Sequence, residues 1–377
     1  MKSSSTPAPG FLGLACCCIA LVSVWAAQET AAPLSERPAD TDPVPSISSA
    51  SSSQPAPKTG PPAATGLLSI SSLPSQPEFT EIRPLTNREI ALKLSAPRDL
   101  SFRLDTSTNL LEWFPLITLS KSAGSLAHTD SAAPYLLSRF YRAIQLTATN
   151  TMTGDHLVTE NGDVVIHPIN HASFVMSWNG KTIYNDPVGG TTSYQGLPRA
   201  DLILVSHAHG DHYDSATLSA VRGTNAVIIA PQAVYNHSGM ASLRSSTIVL
   251  NNGASTNVLG ITIDAVPAYN SNHPRGTGNA GNGYVLTIGG RRLYMTGDTG
   301  DIPETRALSN IDVAFVSMNV PYTMTVSQAA SVIRAFRPRI VYPYHYRNQD
   351  STFANFNSFK QQLGTDLGIE VRLRKWY

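Results

Sequence analysis

Three of the ten histidines in this 377-residue chain fall within His207-Ala208-His209-Gly210-Asp211-His212, and Asp214 follows two residues later. Neutral imidazole and carboxylate together suit zinc, and also manganese or iron. His207 and His209, two apart on an extended stretch or tight loop, can point to one side. Asp211 and His212 then fall in the following turn and aim at a second point a few ångströms away. The segment is therefore read as half of a two-metal site, since imidazoles crowded beside a carboxylate gain little without a cation. Asp298, in Thr-Gly-Asp-Thr-Gly-Asp (296–301), is the expected bridge between the ions, and His345, in Tyr-Pro-Tyr-His-Tyr (342–346), is expected to complete the second.

The elements that must hold these residues share a pattern. His207 follows the apolar run Leu202-Ile203-Leu204-Val205, Asp298 follows 291–297, His345 follows 339–344, Asp186 follows 181–185, and His171 precedes 173–178. Strand ends, and the loops beyond them, are where rigid backbone presents side chains to a cleft. From 149 to 377 strand-like runs alternate with turns and few helices. One helix is expected after the motif, from 215, and another within 325–338, capped by Thr325 or Ser327. The expectation is an α/β layered sandwich forming a catalytic domain over 149–377.

Upstream, short alternating segments such as Ile90-Ala91-Leu92-Lys93-Leu94 predict a small all-β accessory module of β-sandwich type over 78–148. Residues 28–77 are rich in Ser, Pro, Ala and Thr and cannot bury enough apolar surface to offset ordering entropy, so a disordered linker is expected. Lys2 followed by a short apolar stretch over 11–27 predicts a signal peptide over 1–27 and an exported protein, periplasmic or extracellular. An uncleaved N-terminal membrane anchor is the alternative. All three cysteines (Cys16, Cys17, Cys18) lie in that leader, which leaves the mature chain without disulfide, thiolate ligand or cysteine nucleophile. With 27 Lys and Arg against 26 Asp and Glu, and no basic run, nucleic acid is not an expected partner. No stable membrane span is expected in the mature chain.

His207-x-His209-x-Asp211-His212 resembles the signature of the metallo-β-lactamase superfamily. The resemblance continues through 169–187, 295–301, 320–330 and 342–347, covering the third region of the chain only. It leans towards the branch containing UlaG-like proteins and the phospholipase D that acts on N-acyl phosphatidylethanolamines. The resemblance implies an αββα metallo-β-lactamase-type sandwich with a two-metal, usually zinc, site at one edge. It also implies His207, His209, Asp211, His212, Asp298 and His345 as ligands. The family's third histidine for the first metal matches Asn270 here; His273, three residues on, is the favoured substitute, with His237 the other choice.

The resulting expectation is a metal-dependent hydrolase with two divalent ions, zinc first and manganese or iron next. Asp211 ligates one ion and orients or deprotonates the attacking water. Asp214 is expected either to hold a ligand imidazole or to stand as a solvated helix-start carboxylate, and Asp186 and His171 either to hold a ligand imidazole or to cap loops. Asn270, Tyr322 and Tyr344, with Asn319 and Tyr346, are expected to line the pocket or pack in the core. The substrate is read as a small or lipid-like molecule with an ester-type bond, a phosphodiester before a lactone, thioester or amide. A secreted binding protein with a vestigial metal site and a di-iron redox protein are the competing readings, and no residue speaks for β-lactam cleavage.

Overall fold

Alternate side chains of Leu202-Ile203-Leu204-Val205 point to opposite faces of a strand, and here both faces are covered. Leu202 and Leu204 enter a core that also holds Phe174, Ile263, Leu286 and Phe315. Ile203 and Val205 enter a second core with Leu218 and Val221 of the helix Ser215–Val221. A parallel strand buried on both faces reads as an unbroken apolar run, which accounts for that stretch of sequence.

The computed structural model describes residues 17–20, 77–95, 100–120, 125–136, 138–146, 152–277 and 281–377. Apart from Cys17–Ala20, the expected signal peptide lies outside the described residues, as does the expected linker up to 76. The catalytic region stacks two sheets. In the first, Lys181–Asn185, Ala200–Leu204, Arg222–Ala230 and Thr247–Val249 run parallel. In the second, Arg291–Met295, Val313–Ser317, Ile340–Tyr344 and Glu370–Val371 run parallel, beside an antiparallel run from Ser255–Val258 through Gly281–Ile288. The Phe174 and Phe315 rings stack across the two sheets with centroids 4.4 Å apart. Helices cover the outer faces, giving the αββα sandwich of the metallo-β-lactamase fold. Val326–Phe336 begins with the expected Thr325 cap, joined by Gln328 in a reciprocal capping box. No helix among the described residues is long and apolar enough to cross a membrane.

The 78–148 region encloses its own small core of Ile90, Leu92, Phe102, Leu104 and Tyr141. Three of its strands, Glu78–Pro84, Ile90–Ser95 and Ser125–Asp130, form a separate sheet. The others, Ser101–Ser107, Phe114–Ser120 and Phe140–Leu146, continue the first catalytic sheet, because Phe114–Ser120 pairs with Gly154–Leu157. Side chains add to the junction: Ser131 donates to Glu370 at 2.9 Å, and the Tyr135 hydroxyl to the Ile369 carbonyl at 2.8 Å.

His128 sits in this junction with its Nε2 buried and unpartnered. Burial first, and then Arg374, push its imidazole down to about 4. The folded state therefore resists protonation, and the associated stability is complete above the unfolded value near 6.5 and is lost as pH falls through 4. That depression corresponds to about 3 kcal/mol. Urea denaturation followed from pH 7.5 to 4 should show this decline, and His128→Gln should flatten it; an unchanged slope in the variant would remove His128 as its source.

Candidate metal centre

The parallel strands of both sheets deliver their carboxyl ends to one edge, and the polar residues collect there. Ser206 and His207 follow Ala200–Leu204, Asp298 follows Arg291–Met295, and His345 follows Ile340–Tyr344. Three of the residues at this edge adopt left-handed backbone: His171 (φ 54°), Asp186 (φ 41°) and His345 (φ 47°). A non-glycine residue in that region costs about 1 kcal/mol, and strain of this kind clusters where side-chain direction matters. Two glycines let the strands approach. A Cβ at Gly281 would lie 2.5 Å from the Ser206 carbonyl oxygen and 2.7 Å from His207 Cβ. Gly297, at φ 59°, has the Asn282 carbonyl oxygen 2.9 Å from where its Cβ would be.

Two groups of ligand-type atoms face one another. In the first, His209 Nδ1 lies 3.2 Å from His207 Nε2 and 3.0 Å from His273 Nε2. In the second, His212 Nε2 lies 3.0 Å from His345 Nε2, and Asp211 Oδ2 is 3.6 Å and 3.3 Å from those two nitrogens. Asp298 stands between them. Its Oδ1 is 3.2 Å from His212 and 3.3 Å from His345, while Oδ2 is 3.9 Å from both His207 and His273. Although Oδ1 is within ion-pair distance of two rings, it is buried and no hydrogen bond reaches it. A buried carboxylate oxygen left unbonded is costly, and a cation between it and the ring nitrogens removes the cost. The donor set therefore fits a metal-binding centre.

Electrostatics point the same way. Burial opposes ionisation of Asp298, but His345 and His212 hold its carboxyl far below the usual range. Burial likewise opposes Asp211, and the hydrogen bonds from His171 and His345 overcome it. His212 is raised well above its ordinary value because Asp298 and Asp186 outweigh burial, whereas burial and neighbouring His212 keep His207 well below. The centre is a place where positive charge is stabilised, and among the described residues no Lys or Arg pairs with Asp211 or Asp298.

Surrounding groups set the rings. Asp186 accepts from the Ser206 N–H (2.7 Å) and hydroxyl (2.8 Å) and sits 2.8 Å from His212 Nδ1, which leaves Nε2 directed at the centre. Asn319 is 2.9 Å from His345 Nδ1. Asn270 belongs to neither group of ligand atoms. Its Oδ1 accepts from the His273 N–H at 3.0 Å and lies 3.2 Å from His273 Nδ1, while its Nδ2 donates to the Asp298 carbonyl. His171 places Nε2 3.0 Å from Asp211 Oδ2 and Nδ1 2.5 Å from the Tyr377 hydroxyl.

Of the two roles open to Asp214 and to Tyr344, each takes the one outside the centre. Asp214 does not approach any ligand-type ring; its carboxylate caps the helix Ser215–Val221 through the Ala216 N–H and the Thr217 hydroxyl. Tyr344 does not line the pocket; it is fully buried, and its hydroxyl accepts from the Gly297 N–H, so it secures the loop that carries Asp298. Tyr346 is also core, against Phe356, whereas Tyr322 lies at the exposed rim. His237 stacks edge-on against Tyr213, apart from both groups. Ser206 and Tyr377 carry no sequence signal that distinguishes them from an ordinary strand-end serine and a surface tyrosine.

The pattern of the β-lactamase superfamily domain matches residues 165–345. A UPF0173 metal-dependent hydrolase of Thermococcus kodakarensis is 32% identical over 212 residues, spanning 54% of this chain and 93% of the relative. One from Pyrococcus abyssi is 30% identical over 214 residues, with 54% and 93% covered. Among solved structures, a Parabacteroides distasonis protein assigned as a metal-dependent hydrolase is 39% identical, with a TM-score of 0.52 over 59% of this chain and 99% of that one.

Proposed function

The chain belongs to the β-lactamase superfamily, among its UPF0173 metal-dependent hydrolases, and from that premise we propose an exported enzyme that uses two divalent ions, zinc before manganese or iron, to hydrolyse a phosphodiester. The observation that carries the dinuclear reading is Asp298, whose two oxygens face two separate sets of ring nitrogens. His207, His209 and His273 would hold one ion and His212, His345 and Asp211 the other, with one Asp298 oxygen available to each group. Bound there, the ions supply a water acidified towards neutrality and a Lewis-acid contact for the phosphoryl or carbonyl oxygen.

The chain's own residues do the rest. Asp211, 45% exposed at its side chain, is the carboxylate of the centre open to solvent; it orients the attacking water and takes its proton. His171 fixes the direction of that carboxylate. Asp186, Asn270 and Asn319 keep the imidazoles of His212, His273 and His345 turned inward. Export rests on the charged and apolar pattern of the leader, and the phosphodiester preference on the branch resemblance of the motifs.

Metal analysis of the reconstituted full chain should find two ions. His273→Ala should retain about one, while Asn270→Ala should keep two at saturating zinc with roughly 10–100-fold weaker affinity. No bound ion in the parent protein would sink the dinuclear reading, and two ions in His273→Ala would remove that ligand. A panel of phosphodiester, lactone, thioester, amide and β-lactam substrates, run with zinc and manganese, tests the bond. Phosphodiester turnover should be fastest, and a faster lactone, thioester or amide would replace it.

A further inference from the structure

Beside Asp211 and His345 the chain forms a tight loop between Arg347 and Phe353, which bridge one another across it. Within it the Asn348 N–H donates to the Thr352 carbonyl at 2.8 Å. Asp350 directs its carboxylate to the Thr352 N–H and hydroxyl. Arg347 is exposed, and among the described residues no carboxylate lies within ion-pair distance of it. Its guanidinium instead sits 4.6 Å over the ring of Tyr377, and the Arg347 backbone N–H donates to the Tyr377 hydroxyl at 3.4 Å.

Phe353, 55% exposed, stacks on the same tyrosine with centroids 5.4 Å apart. Tyr377 in turn touches His171, and the His171 ring lies 3.6 Å from that of His345. An uncompensated cation and an exposed aromatic face thus share one seat that is joined to the metal centre. Either alone is an ordinary surface feature. Their common fixation on a tyrosine that touches His171 is not, because a guanidinium held on an aromatic ring keeps its N–H fork free for an anion.

We propose that Arg347 is the anion receptor of the substrate and Phe353 its apolar wall, so that the substrate is an amphipathic ester with a phosphate or carboxylate close to an aryl or acyl group. The inference rests on reading the adjoining centre as the hydrolytic site. It is tested by calorimetric titration of the full chain with phenylphosphonate, inorganic phosphate and benzyl alcohol, both metal-loaded and after EDTA treatment.

Phenylphosphonate should bind, and Arg347→Gln should weaken it about tenfold in at least one of the two states, with Arg347→Lys intermediate. Phe353→Ala should weaken phenylphosphonate about threefold and leave phosphate unchanged. Benzyl alcohol should not respond to Arg347→Gln. Equal phenylphosphonate affinity in the parent and Arg347→Gln proteins, or no binding by the parent in either state, overturns the inference. Metal stoichiometry is read in the same samples. Arginine-dependent binding without bound ions would fail only the dinuclear reading, and two ions with arginine-independent binding would fail only the receptor.

Discussion

Asp298→Asn will lower hydrolytic turnover by about 10³-fold or more and weaken both metal positions together. The carboxylate is 5% exposed and offers one oxygen to each group of ring nitrogens. An amide keeps the shape but removes the charge that, in the dinuclear centre proposed above, would hold two cations within one small volume. Lewis-acid and nucleophile activation supply several kcal/mol to such reactions, and each 1.36 kcal/mol is tenfold in rate. The measurement is steady-state hydrolysis alongside metal content, with circular dichroism to establish folding. Asp214→Ala is the matched control, because that carboxylate caps a helix and touches none of the ligand-type rings. It should cost about 1 kcal/mol of stability and leave turnover nearly unchanged. Near-parental turnover with two retained ions in Asp298→Asn would end its bridging role.

The second large effect is on stability, at the junction of the two regions. Asp155, on Gly154–Leu157, accepts from Arg374 Nε and from the Tyr342 hydroxyl, both at 2.7 Å, and Arg372 in turn donates to Tyr342 at 3.0 Å. The Asp155 and Arg374 side chains are 2% and 14% exposed. Removing one partner of a buried pair strands the other charge, so Asp155→Ala should cost about 3–5 kcal/mol. The double variant Asp155→Ala/Arg374→Met should recover much of that loss, since a buried ion pair exchanged for apolar packing is often near neutral. Denaturant unfolding of the three proteins decides the matter. A cost under about 1 kcal/mol for Asp155→Ala would mean that the pair is dispensable.

Acid should reproduce part of the same effect. Burial resists ionisation of Asp155, but Arg374 and then Arg372 hold its carboxyl down to about 2. A depressed carboxyl stabilises fully above its unfolded value near 3.8, and that contribution is lost as pH falls towards 2. This limb lies below the one assigned to His128, so the two are separable in one pH series.

The His207–His212 segment was legible because four chemistry-bearing side chains within six residues constrain one another locally, whatever the rest of the chain does. The apolar runs ahead of His207, Asp298 and His345 were legible for a related reason: a strand covered on both faces must be apolar throughout. Which carboxylate serves which ring was not legible. Asp214, two residues from His212, looked as well placed as Asp186, which is 26 residues away. Parallel pairing of Lys181–Asn185 with Ala200–Leu204 sets Asp186 beside Ser206 and His212, while helix initiation turns Asp214 away to its own N–H groups.

The same division applies to the ligand group formed by His207 and His209. The sequence favours His273 over His237 in place of the family histidine that is Asn270 here, but it carries no geometry for that ring. The turn after Ile261–Ala268 decides, because the Asn270 side chain closes it onto the His273 N–H and swings that ring to 3.0 Å from His209. Local spacing thus determined that this chain carries metal-binding chemistry. Contacts between residues far apart in the chain decided which side chains complete it, because a strand register or a loop closure moves a side chain by several ångströms without changing its identity.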